Sequence, residues 1–195
     1  MKKGARTRQQ MLETAMELFN QQGYHGTGVN QVLSESAAPR GSLYFHFPGG
    51  KQQLAAEAVA ASGRQVGELL ALVLADVAEP REAVAAIVGH FERALVESDF
   101  RRGCPVATVA LEASAESPEV RSACGGAYGL WQEQLAERFR GWGITEARAD
   151  ELAVVALSLI EGALLLCKVQ RDVAPLRTTG EQLTALLEAA RTEAN

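Results

Sequence analysis

Residues Thr27–Lys51 read TGVNQVLSESAAPRGSLYFHFPGGK. They hold two short helical patterns, VNQVLSE and PRGSLYFHF, with only a few small residues between them. The second pattern is too short to stand alone and carries Arg40, Ser42, Tyr44 and His46. A short helix braced by another across a tight turn is the arrangement of a helix-turn-helix, in which the second helix enters a DNA groove.

The flanking sequence supplies the brace. From Arg6 to Gln22, Leu12, Ala15, Met16 and Phe19 fall on one helical face that ends at Gly23. Arg6 and Arg8 sit on its early turns, either beside DNA phosphates or simply in water. Thr27 or Gly28 starts the second helix, with Val29, Val32 and Leu33 inward. The third is expected over 39–47, with Pro39 in the first turn, where its missing N–H does no harm. After Pro48, Gly49 and Gly50, a long helix is expected over 51–77, with Gly63 and Gly67 weakening its middle.

Further helices are expected over 80–97, after Pro105, from Ser117 and Pro118 to Gly141 or Gly143, over 145–171 and over 179–192. With few β-branched residues and an abundance of Ala, Leu, Glu and Gln, the chain reads as all-α with about nine helices. The division expected is a three-helix head over 1–50 for DNA and a helical body over 51–195.

Charge supports that division. The net charge of −5 would disfavour nucleic acid if it were uniform. Residues 1–51 carry six basic and three acidic side chains, net +3, and the remaining 144 carry 13 and 21, net −8. A basic head on an acidic body suits a protein that touches DNA through its N-terminus alone.

Three cysteines, Cys104, Cys124 and Cys167, form no C-x-x-C and read as buried thiols in a reducing compartment rather than as a redox switch. No apolar signal core follows the basic N-terminus, and the apolar run from Leu152 stops at Glu161, so no membrane partner is expected and the location expected is cytoplasmic. His25, His46 and His90 lack the Glu three residues earlier that a di-metal helical site uses. No nucleophile, base and acid converge, so neither metal, cofactor nor enzymatic activity is expected. A ligand-independent activator or nucleoid protein is the competing use of such a head.

GYHGTGVNQVL (Gly23–Leu33) and PRGSLYFHFPGGKQQL (Pro39–Leu54) resemble the TetR/AcrR family of transcriptional regulators: a glycine-aromatic turn, a Thr-capped helix, then G-S-L-Y-x-H-F before a Lys. Together with GCPVATVALEAS (Gly103–Ser114), the second piece is similar to the LmrA/YxaF subgroup, which includes repressors of efflux and drug-resistance genes. The resemblance implies a small-molecule effector among the central helices, a homodimer formed by the last two helices, and a near-palindromic operator released on effector binding. Two heads must then lie roughly 34–36 Å apart to use successive major grooves.

The DNA-contacting residues expected are Thr27, Arg40, Gly41, Ser42, Tyr44, His46 and Lys51. Arg40 is the first choice for gripping a guanine edge. Gly41 permits close approach, and Ser42 suits a base or a phosphate. Tyr44 and His46, two apart, cannot share one helix face, and the resemblance assigns His46 to a phosphate. Lys51 opens a helix, where N–H groups attract phosphate, and Thr27 caps the second helix and touches phosphate. Leu43 and Phe47 are the core side.

The sequence departs from the family pattern at Gly28, where Thr or Ser is usual, and at Ala37, where Gly is usual. Effector-lining candidates are Phe91, Leu95, Cys104, Tyr128, Trp131, Phe139, Leu159 and Cys167, for which a purely structural core role competes, and Glu161, which interrupts an apolar face and for which an Arg across a dimer seam and water compete with a polar effector atom. Leu152, Val155, Leu159, Ala163, Leu166, Leu183, Leu186 and Leu187 offer apolar surface for a dimer or for closing the monomer core.

Overall fold

The computed structural model describes residues 3–75 and 77–193, and within them the chain is helical without strands. The helices are α1 (Lys3–Gly26), α2 (Val29–Glu35), α3 (Ser42–His46), α4 (Gly50–Leu74), α5 (Pro80–Glu97), α6 (Ala107–Ala113), α7 (Pro118–Gly141), α8 (Glu146–Gln170) and α9 (Ala174–Glu193). The all-α expectation holds, and most boundaries fall where the start and stop signals put them.

Several boundaries differ, two of them for a clear local reason, and α1 runs on through Gly23 to Gly26. The third helix does not begin at Pro39. Gly41 adopts φ 82°, ψ −8°, and the Ser42 N–H donates to the Pro39 carbonyl at 3.1 Å. These features make Pro39–Ser42 a type II turn that delays the helix by three residues. The last helix begins at Ala174, five residues early, because the Asp172 carboxylate accepts from the Ala174 N–H at 3.0 Å and Pro175 follows in the first turn. The long helix ends at Leu74 rather than Val77.

Packing sorts the chain into two compact units. One runs to Arg64 and includes Cys104–Ala127; the other is Gln65–Gly103 with Tyr128 onward. Helices α4 and α7 each contribute residues to both.

In the first unit, Met11, Phe19, Val32, Leu43, Phe47 and Leu54 are fully or almost fully buried, each worth about 1.5–3 kcal/mol of transfer free energy. Arg8 lies over the Phe47 ring at 4.5 Å and bonds both Glu57 carboxylate oxygens at 2.7 and 2.6 Å. Its charge is therefore spent tying α1 to α4, whereas Arg6 is exposed. Helix α6 packs on α1 within this unit. The Glu112 carboxylate accepts from the His25 N–H at 2.7 Å, and the His25 ring nitrogen lies 3.3 Å from the Glu112 carbonyl. This contact falls at Gly23, where α1 kinks with φ 79°, ψ 178°, a conformation that only glycine adopts cheaply.

In the second unit α9 packs against α8 and α5. Gly180 of α9 brings its backbone close to Val88, and Arg177–Glu92, Arg81–Glu188 and Arg191–Glu79 flank the seam. Helix α8 has 25 residues and a mean hydropathy of 2.2 over its most apolar window, enough by length and composition to cross a membrane; 33% of that window is buried. Its exposed side carries Val154, Val155, Leu159, Leu165, Leu166 and Val169. The three cysteines are buried thiols, and burial pushes those of Cys124 and Cys167 up, away from the reactive thiolate.

Candidate nucleic-acid interface

Helix α3 has five residues and is held in place by one hydrophobic side chain of its own and one at its C-cap. Leu43 and Phe47 are buried at 1% and 0% exposure. Tyr44 and Phe45 stand out at 66% and 80%, and His46 is half-buried with its ring against Gly4 at the start of α1. Tyr44 leans the other way: a Cβ placed on Gly50, at the start of α4, would lie 3.2 Å from its ring. Tyr44 and His46 thus flank the helix on opposite sides, as their spacing requires.

Arg40 is exposed and lies in the turn before α3, not on the helix as expected. Gly41 is the N-cap residue, with open space where a Cβ would point. The Ser42 hydroxyl donates back to the Pro39 carbonyl at 2.7 Å and completes the turn. Asn30, Ser34 and Arg40, with Leu33, Ala37 and Ala38, line an open depression. The polar face of α2, which sequence reasoning passed over, therefore adjoins the arginine.

Thr27 differs most from expectation. Thr27 is fully buried and its hydroxyl donates to the Gly23 carbonyl at 2.7 Å. It presents no surface to a phosphate, and the cap position of α2 falls to Gly28, which supplies no side-chain bond. Lys51 places its ammonium 4.2 Å from the centre of the Tyr24 ring. Burial lowers its pKa, and the nearby Glu112 charge acts in the opposite direction. Ala37 adopts φ 51°, the left-handed conformation in which glycine is favoured.

Among the effector candidates, Leu95, Trp131, Phe139 and Cys167 are buried in the second unit. Tyr128 meets Trp131 edge-on at 5.5 Å, while Phe139 stacks on Trp142 at 5.6 Å. Phe91 lies beside His90, and Glu161 is half-exposed. Cys104 belongs to the first unit, where its sulfur accepts from the Ala107 N–H. Leu159 is 36% exposed; at about 100° per residue it lies within about 40° of exposed Val155 and Leu166 and equally near buried Ala163, at the edge of the outer side of α8, with buried Ile160 and Cys167 further round. Lys168, which sequence reasoning missed, packs its stem on Gly103, and burial lowers its pKa.

Comparison with known proteins agrees with this geometry. Residues 11–58 match the family described as bacterial regulatory proteins, tetR family, and residues 80–182 match the transcriptional regulator LmrA/YxaF-like C-terminal domain. The chain is 39% identical over 187 residues to the uncharacterised HTH-type transcriptional regulator Rv0196 of Mycobacterium tuberculosis, covering 93% of this chain and 94% of that one. It is 38% identical over 170 residues to the HTH-type transcriptional regulator LmrA of Bacillus subtilis, covering 87% and 90%. Among solved structures, a regulatory protein TetR from Rhodobacter sphaeroides superposes with a TM-score of 0.81 at 26% identity, over 91% of this chain and 96% of that one.

Proposed function

The chain belongs to the TetR family of bacterial transcriptional regulators, DNA-binding proteins with a helix-turn-helix, and on that premise we propose that it is a homodimeric repressor released from a near-palindromic operator by a small apolar or aromatic molecule. The observation that carries the DNA-reading part is the surround of α3: two buried anchors, with Arg40, Tyr44 and Phe45 exposed. Arg40 and Ser42 serve base edges. Tyr44, His46 and Lys51 serve the backbone, and Gly41 allows close approach. Thr27 positions the turn from within.

Residues 1–50 supply the DNA-binding function and residues 51–195 the effector-binding and dimerisation functions, in the cytoplasm and without enzymatic activity. The aromatic pairs Tyr128–Trp131 and Phe139–Trp142 on α7 support an apolar effector, with Phe91, Leu95 and Cys167 further candidates and Glu161 a polar one. The exposed apolar side of α8 supports a helical seam between two copies, which explains its membrane-like composition without a membrane.

Genome-wide mapping of bound sites tests the reading. Discrete sites are expected, lost in Arg40→Ala and His46→Ala variants that remain folded. A diffuse pattern, or unchanged affinity in both variants, overturns it. A thermal-shift screen against aromatic compounds, followed by release of the mapped site, tests the effector.

A further inference from the structure

The residue at the crown of α3 is not one of the polar side chains assigned above. At about 100° per residue, Leu43 and Phe47 fall within about 40° of each other on the buried side. Phe45 lies about 200° from Leu43, at the centre of the outward side, and is 80% exposed. Its ring meets that of adjacent His46 edge-on at 4.9 Å.

The two flanks lead elsewhere. The Tyr44 ring lies against Gly50 at the first turn of α4, and the His46 ring against Gly4 at the first turn of α1. The Gly49 and Gly50 N–H groups are already bonded, to Gln53 Oε1 and to the Phe47 carbonyl, both at 2.8 Å, but a helix start is still the positive end of the helix dipole and favours phosphate. A short helix whose edges are turned to phosphates presents its middle to the base edges, and here that middle is a phenyl ring with no hydrogen-bonding atom.

We propose that Phe45 is a specificity-determining residue that reads thymine, through its C5-methyl group, in the major groove of each half-site. Among the four bases only thymine offers an apolar group there; the others present donors and acceptors that a phenyl ring would desolvate without replacing. The charge around the ring is complementary to duplex DNA, since residues 1–51 are net positive in an otherwise acidic chain. The proposal rests on the operator-binding reading and adds a base identity to it. A wedge between base steps is the other known use of an exposed phenylalanine on DNA, and it belongs to minor-groove binders that kink the duplex.

The test uses the full-length protein and a duplex selected by it from a random-sequence library, with affinity measured by fluorescence anisotropy. Each thymine is replaced in turn by deoxyuridine, which lacks only the methyl group. Wild type is expected to weaken about four-fold at one position per half-site, and about fifteen-fold when both half-sites are changed. Phe45→Ala is expected to lose at least as much on the parent duplex, to become indifferent to deoxyuridine at that position, and to keep both its melting temperature and the salt dependence of binding. Unchanged affinity in Phe45→Ala overturns the proposal. So does an equal loss on thymine and deoxyuridine duplexes, which would indicate a wedge. Failure of the wild-type protein to select any sequence would overturn the operator reading first, and this proposal with it.

Discussion

The Glu112 carboxylate on α6 accepts a hydrogen bond from the His25 backbone N–H at 2.7 Å, 87 residues earlier in the chain, at the kink that turns α1 toward α2. The same carboxylate occupies the space into which a side chain at Gly23 would project. Glu112→Ala is expected to lower stability by about 1 kcal/mol, the value of one partly exposed charge-assisted bond. Gly23→Ala is expected to cost about 2 kcal/mol or more through backbone strain and collision with the carboxylate. In the double variant the collision disappears and the strain remains, so the two losses should add to less than their sum. Thermal or urea melts of the four proteins check this, and strict additivity would show that the carboxylate does not restrain the kink.

The turn between α2 and α3 carries a removable cost. Ala37 is exposed with φ 51°, so Ala37→Gly relieves strain without losing packing. It should raise the melting temperature by about 1–3 °C for a chain of this size, with selected DNA sequences unchanged. Gly28 has extended φ/ψ and open space at its Cβ position. Gly28→Ser should add a capping bond worth a few tenths of a kcal/mol. A lower melting temperature in either variant would contradict these assignments.

Leu166→Glu places a charge on the exposed apolar stripe of α8 without touching the monomer core. Light scattering after size exclusion is expected to show a monomer, with the monomer's helical content intact and binding to a two-half-site duplex strongly weakened. A dimer that survives this change would place the seam elsewhere.

His90 gives a pH dependence of defined sign. Burial, and secondarily Arg93, push its pKa below 6.5, with Glu97 acting the other way. The folded chain therefore holds this proton less readily than the unfolded one. The stabilisation is complete above pH 6.5 and is lost as pH falls through the folded value. Stability curves between pH 7.5 and about pH 5 should show His90→Gln losing less than wild type; parallel curves would mean that another group governs acid sensitivity.

Much of this was legible because its signals are local. Pro80, Ser117, Thr145 and the glycine stops mark helix ends through backbone chemistry that tertiary packing did not override. Arg40 was misplaced because the pattern P-R-G-S suits a helix start and a type II turn equally, and only the positive φ of Gly41 decides between them. Phe45 carries no polar atom to mark it as a DNA contact, although the positions of Leu43 and Phe47 already put it opposite the core. The exposure of Leu159 and the Glu112–His25 bond needed three dimensions. An apolar stripe does not reveal which side another helix will cover, and a contact across 87 residues leaves no periodicity to detect.

The grouping of α6 with the helix-turn-helix sets a rule for recombining such proteins. A chimaera joined at residue 50, or even at residue 64, would inherit a Gly23 kink selected against one α6 and then meet another. Transplanted specificity should therefore survive best when Cys104–Ala127 travels with the N-terminal segment, or when the acceptor carries a glutamate at the position of Glu112.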